Sequence, residues 1–389
     1  MQAGSFQLMK KMNQQIIFKL IHDRQAISRA EIAEISGLSP ATVTNITREL
    51  LQMGLIRESR EGESRGGRKP VLLELNPVGA YFMGLEWGIA EIRGVLINLN
   101  REVIAYEKVD VESCHFDSFL QQSTEIVDNL LNNSIDRSRI YGLGLGVHGM
   151  VDPVRGYSLY APHFKWRDIP VRKELEERLK IPVLIDNDVR VMALAEKWNG
   201  RNDFVLINTG PGIGAAIVLA GELYYGRDYS AGEFGHMTII KDGPLCSCGN
   251  TGCLEALVST DNLLHRYRHG LKEQISRQEL DEEWMKLLDK AREGEEGARR
   301  IIGEAGEYLG MGLSNLVNLL NPDEIILAGY YTAAADLLLP VLREEVEKRV
   351  LTIPGRELVI KVTEFGDQVG AIGAATMVLQ QLFNFQEGE

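Results

Sequence analysis

Several features are absent from this 389-residue sequence, and each absence excludes a class of protein. No apolar stretch reaches the roughly 20 residues that a membrane-spanning helix requires, so we expect no membrane partner. The first 15 residues contain lysines without an apolar core behind them, unlike a secretory signal peptide. Four cysteines are too few for a disulfide scaffold in a chain of this size. Together these absences predict a cytoplasmic globular protein.

Charge is distributed unevenly along the chain. The formal net charge is −13, yet residues 1–70 carry 11 Lys and Arg against 7 Asp and Glu, while the remainder carries 31 against 48. A small basic head on a large acidic body is typical of a protein whose head binds a polyanion. Chance variation of surface charge is the alternative that composition alone leaves open.

The N-terminal region has the pattern of a helix-turn-helix. A capping box at Ser28-Arg29-Ala30-Glu31 predicts a short helix, and Gly37 is placed to end it. Ser39-Pro40 predicts the start of the next helix, which would lie in the major groove of double-stranded DNA. A three-helix dimerisation or peptide-binding module is the alternative. Once its apolar stripe is buried, this second helix leaves outward a set of residues suited to base edges and phosphates: Ala41, Thr42, Thr44, Asn45 and Arg48.

A wing is expected after this helix. Two predicted strands flank a polar run and the basic sequence from Arg65 to Pro70. Its glycines allow close backbone approach, and Arg65, Arg68 and Lys69 suit an electronegative minor groove. A flexible basic linker is the alternative. We place the DNA-binding domain, with this wing, at residues 1–76.

From residue 77 to 389 the pattern changes to strands that alternate with helices. Apolar runs at 81–85, 140–147 and 205–208 predict buried strands, and the periodicity of 116–132 and 297–320 predicts helices. This alternation predicts an α/β domain, in two lobes with a cleft between them.

The strongest chemical signal is a histidine followed by a compact group of cysteines. His236, Cys246, Cys248 and Cys253 offer one imidazole and three thiolates, which complete a tetrahedral zinc shell. A shell without an open position predicts a structural zinc ion rather than a catalytic one. A group of unliganded cysteines is the alternative.

These residues resemble the ROK family, named for repressors, open reading frames and sugar kinases. The resemblance rests on Asp186-Asn187-Asp188, on Gly235-His236 and on the run from Cys246 to Glu255. The head and the sequence Lys165-Trp166-Arg167-Asp168 are most similar to the xylose-repressor branch, and the resemblance covers nearly the whole chain. It implies a two-lobed, actin-like sugar-kinase fold with a zinc loop at about 233–255, and a repressor that binds operator DNA as a homodimer or dimer of dimers.

The resemblance also assigns a sugar-binding site. Carboxylates and amides would hydrogen-bond adjacent sugar hydroxyls, and a glycine would bring backbone against the sugar ring. His236 would bind zinc through one ring nitrogen and face the sugar through the other. Each carboxylate taken alone is equally compatible with a solvated surface charge. The residues implied are Gly149, Asn187, Asp188, Glu233, His236 and Glu255.

The nucleotide side departs from the pattern of the family's kinases. The first phosphate loop reads Glu86-Trp87-Gly88-Ile89-Ala90, without the expected aspartate, second glycine and threonine. The second, Gly210-Pro211-Gly212-Ile213-Gly214, contains a proline that removes a hydroxyl and an N–H donor, and Gly329-Tyr330 replaces a Gly-Gly pair. Asp188, the general base in active relatives, would then be vestigial. We therefore expect a sugar sensor; a bifunctional repressor-kinase and a regulator controlled by a partner protein are the alternatives.

The sequence does not name the sugar. His148 and His163 stand where many relatives carry proline and asparagine, and Arg190 replaces a common asparagine. Because these changes can alter selectivity, xylose is not carried over from the resemblance.

Overall fold

The N-terminal region is a winged helix-turn-helix. The computed structural model describes residues 2–61, 70–131, 135–268, 277–351 and 358–383. Three short strands form a sheet in the order β1-β3-β2, beside three helices. The elements are α1 (Gln2–Arg24), β1 (Ile27–Ser28), α2 (Arg29–Ser36), α3 (Pro40–Gln52), β2 (Ile56–Glu61) and β3 (Val71–Leu75).

Local hydrogen bonds explain where α2 and α3 begin and end. The Ser28 hydroxyl accepts from the Glu31 N–H (3.2 Å), and the Glu31 carboxylate accepts from the Ser28 N–H (3.0 Å), so the predicted capping box is confirmed. Gly37 ends α2 in the left-handed conformation, with φ of 69°. Ser39 caps α3 by accepting from the Thr42 N–H (3.1 Å).

The first lobe of the body is built on a five-stranded sheet in the order β11-β7-β4-β5-β6, beside a small three-stranded sheet, β10-β9-β8. Strands β4, β7 and β11 are parallel, whereas β5 and β6 are antiparallel to their neighbours. The elements are β4 (Tyr81–Trp87), β5 (Glu91–Asn98), β6 (Val103–Asp110), α4 (Phe116–Leu131), β7 (Ile140–Val147), β8 (Met150–Asp152), β9 (Tyr157–Ala161), β10 (Trp166–Ile169), α5 (Val171–Leu179), β11 (Val183–Asn187) and α6 (Asp188–Lys197).

The second lobe repeats the sheet topology of the first. Its five strands lie in the order β14-β13-β12-β15-β16, so in both sheets a three-strand meander is extended by two further parallel strands. The elements are β12 (Phe204–Thr209), β13 (Ile213–Leu219), β14 (Glu222–Leu223), α7 (Leu254–Val258), α8 (Thr260–Tyr267), α9 (Arg277–Glu293), α10 (Glu296–Leu320), β15 (Glu324–Gly329), α11 (Ala335–Arg349), β16 (Val359–Val362) and α12 (Val369–Phe383).

Helix α6 packs between the two lobes. It contacts β13 and β12 of the second lobe, β7 and β11 of the first, and α12 along its length. The approach of α12 is close: a Cβ added to Gly373 would lie 1.7 Å from the carbonyl oxygen of Val191. Helix α6 therefore has little room to move independently of its surroundings.

The head and body share one hydrophobic core. Buried Ile17 and Ile21 of α1 belong to the same cluster as Leu99 of the first lobe and Leu379 of α12. Helix α1 contacts α2 and α3 on one side and α12 on the other. The head is thus held against the body by apolar packing as well as by the chain connection.

Candidate functional site

The motif residues converge because of the sheet topology. The parallel strands β4, β7 and β11 end at Trp87, Val147 and Asn187, and strands β12 and β15 end at Thr209 and Gly329. In open α/β sheets, ligands bind in the crevice beyond the carboxyl ends of such strands. Every turn that the sequence singled out in the body, apart from the zinc loop, directly follows one of these ends.

Asn187 organises the predicted sugar-binding turn. Its side-chain oxygen accepts from the N–H groups of Val189 (3.0 Å) and Arg190 (3.1 Å), which caps α6. Its amide donates to the carbonyl of Gly149 (2.9 Å) and to the Asp188 carboxylate (2.7 Å). The structure thus brings Gly149, Asn187 and Asp188 together. Gly149 has φ of 99° and lies so close to β9 that an added Cβ would be 2.4 Å from the carbonyl oxygen of Tyr160.

Asp188 is the end of a hydrogen-bonded chain that sequence reasoning did not predict. The carboxylate is 7% exposed, and its Oδ2 lies 3.1 Å from Nδ1 of His148. The other ring nitrogen of His148 lies 3.0 Å from Nδ1 of His163. Because an ionised carboxylate only accepts, Nδ1 of His148 donates to Asp188, and in a neutral His148 the Nε2 atom then accepts from His163. The sequence singled out both histidines as unusual, but gave no signal of this contact.

Further carboxylates border the cleft. Partial burial raises the pKa of Glu233; the interaction with His236 opposes this, and the charges of Glu255 and Asp188 add to it. Glu233 Oε2 lies 3.8 Å from His236 Nε2. The Glu255 carboxylate accepts from the Ile213 N–H at 3.2 Å, which ties α7 to the second glycine-rich turn. The carboxylates of Asp188, Glu233 and Glu255 are therefore close enough to influence one another electrostatically, and all three groups accept hydrogen bonds.

Arg190 has an internal role. Its guanidinium, 3% exposed for the residue, donates to Asp186 (2.6 Å) and to the carbonyls of Tyr229 (2.9 Å) and Val151 (3.1 Å). Burial raises the pKa of Asp186, and the Arg190 charge opposes that rise. Each of the three guanidinium nitrogens of Arg190 therefore donates to a group within the protein. These bonds hold the loop after β14 against the first lobe.

The four predicted metal ligands form one group. The ligand atoms of His236, Cys246, Cys248 and Cys253 all lie within 4.8 Å of one another. The sulfur atoms of Cys248 and Cys253 are 3.7 Å apart, too far for a disulfide of about 2.05 Å. Two thiolates bound to one tetrahedral zinc ion at ~2.3 Å lie about 3.8 Å apart. The geometry of the side chains therefore fits a metal ion of this kind.

The loop that carries the cluster also positions Glu233 and Glu255, which the family resemblance assigns to sugar binding. Nδ1 of His236 points to the cluster, 3.7 Å from the Cys246 sulfur, whereas Nε2 is on the side of Glu233. Cys253 immediately precedes α7, which carries Glu255. The two ring nitrogens of His236 thus lie beside different groups, the Cys246 sulfur and the Glu233 carboxylate.

Two side chains border the turns after β4 and β12. The ring of Tyr330 lies against the glycine-rich turn, where a Cβ added to Gly210 would be 3.0 Å from it, and its hydroxyl donates to Asp281. At the end of β4, burial raises the pKa of Glu86 to about 7, and Arg93 lies 3.6 Å from its carboxylate. A carboxyl group and a tyrosine ring thus stand at the two turns where the family resemblance implies phosphate contacts.

Helix α3 exposes the predicted DNA-reading residues. Ala41, Thr44, Asn45 and Arg48 are exposed, and Thr42 is half-buried beside its cap. Arg48 donates to the side chain of Asn45 at 3.3 Å, so the two form one polar unit on the surface. The predicted wing contacts Arg65, Arg68 and Lys69 lie outside the described residues.

Membrane-spanning helices are not found in the part of the chain that the structure describes, because none of its helices combines sufficient length with sufficient apolarity.

Comparisons with known proteins agree with this architecture. The model of the ROK family matches residues 82–381, and that of the MarR family matches residues 11–65. The chain is 33% identical to a xylose repressor of Caldicellulosiruptor bescii over 99% of both proteins. The structure is similar to that of a ROK family transcriptional regulator, a homologue of the E. coli MLC protein, with a TM-score of 0.82, 29% identity and coverage of 96% of this chain and 97% of that one.

A solved enzyme has the fold of the body alone. The structure of a ROK family glucokinase from Streptomyces griseus, in complex with glucose and AMPPNP, matches with a TM-score of 0.67 and 24% identity, over 77% of this chain and 99% of that one. The body is therefore a sugar-kinase-like domain preceded by a DNA-binding head. The chain belongs to the ROK family, in the branch of its xylose-repressor-like transcriptional regulators.

Proposed function

We propose that this protein is a sugar-responsive repressor of carbohydrate-metabolism genes. The surface of α3 binds operator DNA, and a small sugar in the cleft of the body changes the affinity of the protein for that DNA. The relative named a xylose repressor, similar over its whole length, supports this function. The head that binds DNA comprises residues 1–76, and the body that binds the sugar comprises residues 77–389.

The cleft is suited to a neutral polyhydroxylated ligand. Asp188, Glu233 and Glu255 offer acceptors to sugar hydroxyls, and the shared negative charge disfavours an anionic ligand. Asn187 holds Gly149 and Asp188 at the edge of this surface by donating to both. His236 and the three cysteines of the cluster would hold a structural zinc ion, which fixes the loop that carries Glu233 and Glu255.

The body has lost the kinase reaction of its relatives in this proposal. Tyr330 covers the second glycine-rich turn, and Glu86 places a carboxyl group at the first. A triphosphate would have to displace the tyrosine ring and approach a carboxylate without the usual backbone donors. Asp188, whose Oδ2 is bonded to His148, then serves as a sugar ligand rather than as a general base.

One observation carries the link between the sugar and the DNA. Helix α6, about 15 Å long, begins at Asn187 and Asp188 of the sugar site and ends at Trp198. The Trp198 ring contacts His22 of α1 edge to face, with ring centroids 5.2 Å apart, and the Arg101 guanidinium lies over it at 5.2 Å. Helix α1 in turn is joined to α3 by the ion pair of Lys10 with Glu49, at 2.7 Å. A shift of the sugar-binding turn is thus transmitted along one packed helix to the element that supports the DNA-reading helix.

The assembly in this proposal is a homodimer, or a dimer of dimers. Two heads related by a two-fold axis would read the two half-sites of a palindromic operator. A change in the relative placement of the heads alters the fit to both half-sites at once.

The function is tested by operator binding with and without sugar. DNA duplexes are selected from a random library with the purified full chain, and the selected duplex is titrated in the presence of a panel of mono- and disaccharides, each with and without Mg-ATP. We expect one sugar to change operator affinity about 5- to 150-fold, with no effect of ATP. Sugar-dependent consumption of ATP would contradict the loss of kinase activity, and a protein that selects no DNA would contradict the repressor.

The role of α6 makes a separate prediction. In Trp198→Ala the contact with His22 is lost, which removes coupling of about 1–3 kcal/mol between the sugar site and the head. We expect the variant to bind sugar with an affinity within about 2-fold of that of the unchanged protein. Bound sugar should then change its operator affinity by less than about 2-fold. Calorimetric titration with sugar and fluorescence titration with operator measure the two affinities.

Trp198→Phe is the matched control, since it keeps an aromatic ring beside His22 and is expected to retain most of the response. Leu319→Ala, on a side chain that is 79% exposed, controls for the mutation procedure itself. A full sugar response in Trp198→Ala would show that the signal does not pass through this contact.

A further inference from the structure

We propose that His148 and His163 determine which sugar the cleft accepts, and that they select an aldopentopyranose over the corresponding aldohexopyranose. This inference rests on the proposed function and assigns its ligand class. His148 lies next to Asp188, and the exposed His163 lies next to His148.

The imidazoles form a wall beside the carboxylate. His148 is bonded to Asp188 Oδ2 at 3.1 Å, and His163 is bonded to His148 at 3.0 Å with the ring centroids 4.9 Å apart. Asp188 Oδ1 already accepts from Asn187 (2.7 Å) and from the Val189 N–H (3.0 Å). A carboxylate has about four acceptor positions, so Asp188 keeps capacity for one sugar hydroxyl, directly beside the His148 ring.

Buried aromatic rings pack against His148, the inner ring of this wall. The centroid of the Phe164 ring lies 6.1 Å from that of His148, and Phe164 is 3% exposed. Phe164 itself packs against Trp166 and Phe119, with ring centroids 4.7 Å and 4.9 Å away. A group that pushed His148 outward would have to disturb this cluster, and rearranging a packed core costs about 1–3 kcal/mol.

The consequence concerns the substituent at C5 of a pyranose. The C4 hydroxyl of the sugar would donate to the Asp188 carboxylate, so that C5 would lie beside the His148 ring. A pentopyranose has only hydrogen on this carbon, whereas a hexopyranose has a hydroxymethyl group that needs the space of the imidazoles. A packed pocket of this kind discriminates by roughly 10- to 200-fold for a group of this size.

The test compares three sugars that share the configuration of C2, C3 and C4. D-Xylose, D-glucose and 6-deoxy-D-glucose are titrated calorimetrically into the full chain. We expect xylose to bind at least about 10-fold more tightly than both hexoses, because the methyl group of 6-deoxy-D-glucose meets the same wall as the hydroxymethyl group.

Variants then assign the selectivity to the histidines. In His148→Ala, and to a smaller extent in His163→Ala, glucose should bind more tightly and the ratio of xylose to glucose affinity should fall to less than about 3. His148→Gln keeps a side chain that donates to Asp188 and is expected to retain most of the selectivity, and thermal unfolding of each variant verifies that it is folded. If His148→Ala does not fold, the ratio in His163→Ala decides the question.

The outcomes separate this inference from the proposed function. Equal affinity of the unchanged protein for xylose and glucose, or tighter binding of glucose, would overturn the inference while leaving a sugar-responsive repressor. Selectivity for xylose that persists in both alanine variants would overturn the role of the histidines. A chain that binds operator DNA but none of a wide sugar panel would contradict the proposed function itself.

Discussion

Replacing Asp188 by asparagine is expected to weaken sugar binding about 100-fold or more, while the protein still binds its operator in the absence of sugar. The carboxylate accepts from three protein donors, on Asn187, Val189 and His148, and has an acceptor position left for the sugar. The amide of asparagine has an NH₂ group in place of one carboxylate oxygen, and this group cannot accept a hydrogen bond from a donor. The amide also lacks the negative charge that strengthens a hydrogen bond from a sugar hydroxyl. Losing charge-assisted bonds of about 1.5–3 kcal/mol each corresponds to this change in affinity. Calorimetric titration with the sugar measures it.

Asp117→Asn is the matched control for this variant. Asp117 is an exposed aspartate in the first turn of α4, as Asp188 is in the first turn of α6. Both substitutions remove a negative charge that stabilises a helix N-terminus. Only Asp188→Asn also changes a residue that is proposed to bind the sugar. Sugar affinity in Asp188→Asn equal to that in Asp117→Asn would contradict the assignment of the site. Loss of operator binding in Asp188→Asn would show instead that this residue supports the fold of the head.

Local sequence signals predicted the parts of the structure that depend on local interactions. The capping box at Ser28 and the left-handed Gly37 are confirmed, because a helix end is determined by hydrogen bonds within a few residues. Strand β7 has the predicted bounds, 140–147, since a buried central strand is a continuous apolar run between polar residues. The family resemblance supplied the remainder of the architecture, which periodicity alone does not determine.

Contacts between distant residues were outside the reach of sequence reasoning. Strands β8, β9 and β10 have only three to five residues each, too few for a periodic signal. His148 and Asp188 are 40 positions apart and meet only because β7 and β11 are neighbours in register. Arg190, noted in the sequence for its effect on selectivity, directs its guanidinium into the protein rather than into the cleft. Side-chain direction at a helix start depends on such partners, which spacing does not reveal.

The cysteine cluster makes the second prediction with a large effect. We expect the full chain to contain one zinc ion, and Cys253→Ser to lose it, with a fall in Tm of at least about 5 °C and at least about 10-fold weaker sugar binding. Cys253 is fully buried and begins α7, so its replacement removes a ligand and disturbs the segment that carries Glu255. Metal analysis, thermal unfolding and sugar titration give the three values. Removal of zinc from the unchanged protein by a chelator should reproduce all of them.

Cys114→Ser separates metal binding from the loss of a thiol. Cys114 is an exposed free cysteine outside the cluster, so its replacement should change neither zinc content nor Tm. The comparison is informative because burial raises the pKa of the Cys253 thiol to about 12. Without a cation, that thiol behaves as a small apolar side chain, and a serine in its place puts a hydroxyl at a buried position, which lowers Tm but removes no metal. Loss of zinc together with sugar affinity in Cys253→Ser, reproduced by the chelator in the unchanged protein, therefore indicates a bound metal, whereas a zinc content that is unchanged in both variants would refute the zinc ion.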